Sequence, residues 1–231
     1  MKRIKFDKLE DFLEQKPDYS NLVVHLTKST DEKSENKVLC EILDSKTLEA
    51  RNPYGICQYD FLSDDEARKR LKVVCFTETP LTHITWLLVD LPDREKTPEP
   101  YGLVFDKTFI RKSGGNPAIY LKKEFAEPLR KLFLRYKDSN LPRGIDKANL
   151  FRIIALVNIC DFYNDWHWER EWRIAGNLQF QYKDVYCGIC PEDEIESFEK
   201  KYKPIRFIDP YWGQVKLLDE LVKQRTDEIL F

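Results

Sequence analysis

The sequence has almost no net charge and no long apolar run. Its 40 acidic residues nearly cancel its 38 basic residues, for a formal charge of -2. Overall electrostatics therefore give no reason to expect binding to nucleic acid or to an acidic membrane, and leave open a local basic patch. The longest apolar stretches, such as ITWLLV at 84–89, are too short to span a bilayer, and the N-terminus lacks the apolar stretch of a signal peptide. We expect a cytoplasmic protein that makes no membrane contact.

Common catalytic and nucleotide-binding motifs are also missing. The sequence contains no GxGxxG, GxxxxGK[ST], HExxH or GxSxG, which weakens the case for a dinucleotide-fold dehydrogenase, a P-loop protein, a zincin or an α/β-hydrolase. Its three histidines, His25, His83 and His167, are too few for a multi-histidine metal centre. Packing and surface exposure account for His83 and His167. We expect no metal.

The six cysteines are scattered rather than regularly spaced. Cys187 and Cys190 form one CxxC pair, but a structural zinc needs four ligands and no second pair completes the set. We favour a tight turn with half-buried thiols over metal or redox use, and we expect no structural disulfide.

What the sequence does contain is the pattern of a globular α+β protein. Apolar, β-branched stretches predict strands at 22–27, 72–81, 101–107 and near 113–123, 185–190 and 204–208. Helical periodicity predicts helices between them; one covers 147–162, and another begins at SDDEARKR, where Ser63 is the expected N-cap. Strands and helices without regular alternation favour one α+β domain, with a mixed and mostly antiparallel sheet flanked by helices. We divide it into an N-terminal helix within 1–20, a core at 21–190 and a C-terminal helical extension at 191–231.

The stretch WEREWRIAG alternates in the manner of a strand. This pattern places Trp168 and Trp172 on one face and Glu169, Glu171 and Arg173 on the other. Two carboxylates on one face repel unless a cation lies between them, and Arg173 would neutralise them in a purely structural interpretation. Alternatively, Glu171 stabilises positive charge as a glycosidic bond breaks, while nearby aromatic rings stack on a nicotinamide or a base.

Other candidate site residues lie in two earlier strands. His25 lies inside the apolar strand VVHLT, where a titratable ring is either hydrogen-bonded within the structure or faces a cleft. Thr77, Glu78 and Thr79 end the strand CFTETP, where hydroxyl groups satisfy backbone groups or brace a site.

Taken in chain order, the motifs VVHLT, ILDSKTLEA, VVCFTETPL, YGLVFDK with SGGNPAIY, and EREWRI resemble the bacterial abortive-infection family AbiGi, which contains phage-resistance proteins described as antitoxins. They are also similar to bacterial proteins with a late E-x-E-[WY]-R strand. The resemblance covers roughly residues 20 to 175. Those families are in turn distantly similar to the ADP-ribosyltransferase fold, which includes the DNA-modifying DarT toxins.

The resemblance implies roles for particular residues in NAD binding and transfer. His25 would hold the nicotinamide ribose, Thr77 or Thr79 would support the nicotinamide, and Glu171 would direct the transfer, with Glu169 as the first Glu of the E-x-E pair.

The same resemblance adds Thr27 and Tyr101 to the cofactor-binding set. The chain departs from the family pattern because no aromatic residue ends the CFTET strand. Tyr101 or Tyr120 would substitute for it.

Three functions follow as expectations. The first is a cytoplasmic anti-phage protein that transfers ADP-ribose from NAD to a nucleic acid or protein target. The second is a non-catalytic antitoxin or sensor module that binds a partner toxin or antitoxin protein through the same aromatic and acidic patch. The third, a binder of single-stranded nucleic acid, has less support because basic residues are not concentrated near the aromatic residues.

Overall fold

A computed structural model describes residues 16, 18–51, 55–57, 59–60, 64–90, 97–136, 146–160 and 165–229, with side chains as far as residue 223. The predicted N-terminal helix lies almost entirely outside these residues. The strands are β1 (Leu22–Leu26), β2 (Thr47–Leu48), β3 (Val73–Thr77), β4 (Gly102–Asp106), β5 (Asn116–Pro117), β6 (Ile119–Leu121), β7 (Val157–Ile159), β8 (Glu171–Ala175), β9 (Leu178–Gln179), β10 (Val185–Ile189) and β11 (Phe207–Ile208).

The helices are α1 (Glu35–Ser45), α2 (Asp65–Leu71), α3 (Lys107–Lys112), α4 (Lys123–Tyr136), α5 (Lys147–Leu156), α6 (Ile195–Lys201) and α7 (Gln214–Ile229). Short 3-10 turns cover Leu81–Leu87, His167–Glu169, Tyr182–Asp184 and Glu192–Glu194. No helix in the described part of the chain combines the length and the apolar composition needed to cross a membrane.

The strand pairing confirms the predicted α+β class and a mixed, mostly antiparallel sheet. Antiparallel pairs join β1 with β4, β4 with β10, β3 with β8, β5 with β8 and β2 with β9. Parallel pairs join β10 with β11 and β6 with β7. The chain forms two compact units, and its assignment to one domain stays a prediction.

Unit 1 comprises Met1–Asp44, Glu78–Thr108 and Gln181–Phe231. Its strands follow the order β11-β10-β4-β1. Val24, Val104 and Cys187 share one face, where they form a core with the turn Leu81–Leu87 and with Leu217 of α7. Because neighbouring residues on a strand point to opposite faces, His25 points away from this core.

Unit 2 comprises Ser45–Thr77 and Phe109–Phe180. Its strands follow the order β3-β8-β5. One face of β3 and β8 carries Val73, Cys75 and Ala175, which pack into a core that includes residues of α2, α4 and α5. Helix α2 begins at an N-cap one residue later than the Ser63 suggested by the sequence, since the Asp64 carboxylate accepts from the amide of Ala67.

Three local predictions are wrong. The predicted strand WEREWRIAG begins only at Glu171, because His167–Glu169 forms a 3-10 turn and Arg170 has a φ of 50°. The helix predicted across 147–162 ends at Leu156, and the next residues form β7 against β6.

The third correction concerns CGIC. Cys187 belongs to β10, and Cys187 and Cys190 are both fully buried rather than half-buried in a turn. All six cysteines are free thiols.

Candidate functional site

Glu171, the first residue of β8, is held at the edge of the unit 2 core. In the antiparallel register it lies opposite Thr77 of β3, while Arg173 lies opposite Cys75. Its side chain is only 11% exposed. Carboxylate oxygen Oε2 accepts a hydrogen bond from the Tyr120 hydroxyl at 2.9 Å and one from Nη2 of Arg173 at 2.8 Å. Glu171 is thus a buried carboxylate with a fixed orientation.

Arg173 is the cation that the structural interpretation requires, and its ion pair with Glu171 confirms that part of the prediction. The residue is 1% exposed. Its Nη1 donates to the backbone carbonyl of Ala155 in α5 at 3.1 Å, and its Nε has no hydrogen-bond partner among the described residues. A buried charge is costly unless it is paired, so the two side chains depend on each other.

The pKa of the Glu171 carboxyl lies below its ordinary value. Burial alone raises this pKa, but the charge and hydrogen bond of Arg173 and the hydrogen bonds from Cys75 and Tyr120 outweigh it. Glu171 is therefore ionised at neutral pH.

The two uncharged donors have raised pKa values. Burial, followed by the neighbouring charge of Glu171, raises the pKa of both the Tyr120 hydroxyl and the Cys75 thiol. Both groups keep their protons at neutral pH, so they act as hydrogen-bond donors and not as bases or nucleophiles.

Thr77 positions the segment before Glu171. Its hydroxyl donates to the backbone carbonyl of Glu169 at 2.6 Å, which ties the 3-10 turn to the end of β3. The structure thereby brings together three predicted site residues, Thr77, Glu169 and Glu171. However, Glu169 lies in the turn and does not share a strand face with Glu171.

An aromatic surface lies beside the carboxylate. The exposed ring of His167 contacts the Tyr120 ring edge-on with centroids 5.8 Å apart. The rings of Trp166 and Trp168 are 6.3 Å apart, and Trp168 is 42% exposed. A chain of contacts thus leads from the surface through His167 and Tyr120 to Glu171.

The remaining predicted residues lie in unit 1. Thr27 is buried, and its hydroxyl donates to the backbone carbonyl of Tyr101 at 3.1 Å, so the structure brings these two together. The Tyr101 hydroxyl donates to Oε1 of Glu194 at 2.6 Å. Thr79 is half-buried just before the turn Leu81–Leu87. Half-buried His25 lies opposite Leu103 of β4. That His25 and Glu171 serve one NAD site stays a prediction.

Sequence reasoning missed a second buried ion pair. Nζ of Lys107 lies 3.0 Å from Oε1 of Glu78, with side-chain exposures of 3% and 14%, and 4.1 Å from the centroid of the Tyr19 ring. These residues are far apart in sequence, and nothing in the two motifs that contain Glu78 and Lys107 indicates that they pair. The one available signal was a lysine directly after the apolar strand GLVFD.

Cys75 was also missed, although a signal existed. It lies two residues before Thr77 on one strand, so strand alternation already placed both on the same face. No group of three or more His, Cys, Asp or Glu side chains in the described ranges is arranged to hold a metal ion.

Comparison with known proteins adds no relative: no protein-family model matches this chain, and no curated protein or solved structure matches it significantly.

Proposed function

We propose that this chain is a cytoplasmic phage-defence enzyme that transfers ADP-ribose from NAD⁺ to a macromolecule. The observation that carries the proposal is the carboxylate of Glu171, which is buried, ionised and oriented by Tyr120 and Arg173. Preorganised charge of this kind stabilises a transition state without reorganisation during the reaction.

In the proposed reaction, the bond between C1′ of the ribose and the nicotinamide nitrogen breaks. Nicotinamide leaves with the electron pair, and the cation that develops at C1′ is stabilised by Glu171. A nucleophilic oxygen or nitrogen of the target then bonds to C1′ and loses its proton to solvent. Tyr120 and Arg173 both bind Oε2 of Glu171, and Cys75 also donates to this carboxylate, so these three side chains fix the orientation of the group that would face C1′.

The aromatic surface supports the same proposal. His167 is exposed beside Tyr120, and Trp168, the next residue in the chain, is exposed as well; both offer rings on which a nicotinamide or an adenine can stack. In this arrangement Tyr120 is a positioning residue, because it acts on the reaction through Glu171.

One observation favours a second function, a non-catalytic module that binds a partner toxin or antitoxin protein. Arg173 offsets the negative charge of Glu171 at 2.8 Å, which weakens the field that Glu171 exerts on a substrate. Exposed Trp168 with its neighbour Trp166 then serves as an interface anchor, since tryptophan is enriched at such contacts.

Release of nicotinamide from NAD⁺ by the purified full chain tests the enzyme. Glu171→Gln should lower the rate by about 10²- to 10³-fold, the usual effect of removing one electrostatic group. Because Glu171→Gln leaves Arg173 buried without its partner, the same assay is run on Glu171→Gln combined with Arg173→Met, which contains no lone charge.

Glu124→Gln, an exposed carboxylate of α4, is the matched control and should keep the wild-type rate. A folded double variant with the wild-type rate of nicotinamide release contradicts the enzyme proposal. A wild-type chain that releases no nicotinamide and binds a protein partner through Trp168 establishes the module instead.

A further inference from the structure

The two units have opposite formal charges. Unit 2 contains 19 basic and 13 acidic residues, for a charge of +6, whereas unit 1 contains 19 basic and 27 acidic residues, for a charge of -8. Each unit is assembled from separate stretches of sequence, so the near-neutral total hides this difference. A charge asymmetry of this kind points to a polyanionic partner for the basic unit.

Within unit 2, three helices meet around the ring of Phe151 in α5. The guanidinium of Arg70, in the last turn of α2, lies 5.4 Å from the centroid of this ring. The ring of Phe133, in the second half of α4, is 5.0 Å from it in an edge-on contact. The basic end of α2, the second half of α4 and the first half of α5 are therefore neighbours.

Five cations lie on these helix turns, with Lys131 and Arg135 on the face of α4 that points away from Phe151, and we call the whole set the Phe151 basic surface. Four are exposed and Lys147 is half-buried; the set is Arg70, Lys131, Arg135, Lys147 and Arg152. Among the described residues, none of the five forms an ion pair. The three arginines have other contacts: Arg70 with the Phe151 ring, Arg135 with the Tyr136 ring, and Arg152 through Nη1, which donates to Oδ1 of Asn149 at 3.4 Å.

Several carboxylates near this surface are engaged by other groups. Asp60 and Glu127 bind Arg130, and Glu66 binds Lys69. Asp146 caps α5 by accepting from the amide of Ala148. The five cations thus keep their charge available to a ligand.

We propose that the Phe151 basic surface binds the phosphodiester backbone of a nucleic acid. Phosphate contacts with lysine and arginine release the counterions condensed on the polyanion, and this release drives binding. Arg70 contacts the Phe151 ring, and its planar guanidinium offers donors that match phosphate oxygens. The surface does not depend on the proposed NAD reaction.

A nucleic acid fits this surface better than an acidic protein does. Its charges are regularly spaced and each requires a cation rather than a shaped pocket, which suits five cations spread over three helices. Exposed Leu132 and Ile153 also flank the surface, at 55% and 51% exposure, and they would anchor a protein partner. An acidic protein is therefore one outcome that the experiment must separate.

Fluorescence anisotropy of the full chain with labelled RNA and DNA oligonucleotides of one sequence, single-stranded and annealed, tests the surface. Between about 50 and 200 mM salt, log K should fall linearly with log salt. Lys131→Gln with Arg135→Gln removes two exposed cations and should weaken binding at least about tenfold at the lowest salt, with a slope smaller by about 1.4 to 1.8. Equal effects on RNA and DNA support backbone contacts alone, and a preference for RNA assigns an added contact to the 2′-hydroxyl.

Lys33→Gln with Lys216→Gln is the matched control, since these lysines belong to unit 1 and already bind Glu41 and Glu192. It should leave affinity and slope unchanged. Absence of binding at the lowest salt overturns the proposal, and so does an unchanged slope in the Lys131 and Arg135 variant. A labelled polyglutamate peptide that binds as tightly as the oligonucleotides also overturns it, in favour of an acidic protein.

Discussion

At the scale of single residues, Glu171 and Arg173 show why one member of a buried ion pair cannot be substituted without regard to the other. Each ion has lost its hydration, and mutual attraction together with hydrogen bonds from Tyr120 and to Ala155 compensates for that loss. Removing one partner leaves the other buried and uncompensated, whereas removing both does not.

This reasoning predicts a non-additive pair of substitutions. Glu171→Gln should lower the free energy of unfolding by about 3–5 kcal/mol, and adding Arg173→Met should restore most of that loss. Urea unfolding followed by circular dichroism measures both values. If the double variant is less stable than Glu171→Gln alone, the two side chains are not a coupled unit.

The lowered pKa of Glu171 predicts that the free energy of unfolding decreases at acid pH. Its folded pKa lies below that of the unfolded chain, about 4.3 for glutamate, so its stabilising contribution is complete above that value. As the pH falls through the folded pKa, the unfolded chain binds the proton first and this contribution is lost. The free energy of unfolding measured below about pH 4.3 should therefore fall more steeply in the wild type than in the double variant, and equal slopes would argue against a lowered pKa.

At the scale of elements, the pairing of β1 with β4 depends on a glycine. Gly102 lies opposite Leu26, and a Cβ built on it would collide with the backbone carbonyl of His25. A backbone atom inside a strand pair cannot move aside as the end of a flexible side chain can.

Gly102→Ala should therefore lower the free energy of unfolding by about 1–3 kcal/mol. Gly213→Ala is the control, because no atom of the described residues lies within 4 Å of the position that its Cβ would take, and it should be neutral or slightly stabilising. Thermal unfolding of the two variants beside the wild type checks this, and similar melting temperatures for both would show that the β1–β4 pair tolerates a Cβ.

The 3-10 turn before β8 shows why one element could not be predicted from alternation. The pattern from Trp168 to Ile174 is the same on both sides of Arg170, but Arg170 adopts a left-handed conformation. The alternating pattern also gives no sign of the contact with β3, in which the Thr77 hydroxyl donates a hydrogen bond to the backbone carbonyl of Glu169. A contact between segments 92 residues apart decides where the strand begins.

At the scale of the whole molecule, the buried thiols predict how the free energy of unfolding changes at alkaline pH. Burial, the largest cause, raises the pKa of Cys57 to about 12, and it also raises the pKa values of Cys75, Cys187 and Cys190. An unfolded thiol loses its proton near pH 8.5. Above this pH the unfolded chain binds fewer protons than the folded chain, so the free energy of unfolding should fall.

Urea unfolding between about pH 7 and 10 measures this decline. Cys187→Ala should make the decline shallower, whatever its effect on stability at pH 7, because it removes one thiol that is fully buried in the folded chain. A decline as steep as that of the wild type would mean that Cys187 does not titrate differently in the two states.

The sequence by itself determined the fold class and the positions of most elements. Apolar, β-branched runs predicted β1, β3, β4 and β10, because side chains alternate across a strand whatever its neighbours are. The same local rule placed Arg173 as the partner of Glu171, since the two lie on one strand face.

Tertiary structure decided everything that depends on distant segments. It brought Tyr120 and Cys75 to Glu171, joined Lys107 to Glu78, and divided a near-neutral chain into an acidic and a basic unit. Periodicity reports only which face a residue occupies, whereas contact between faces depends on strand order and helix packing across the chain. For that reason the residues of the candidate site could be predicted within one strand. The hydrogen bonds from other segments and the opposite charges of the two units could not.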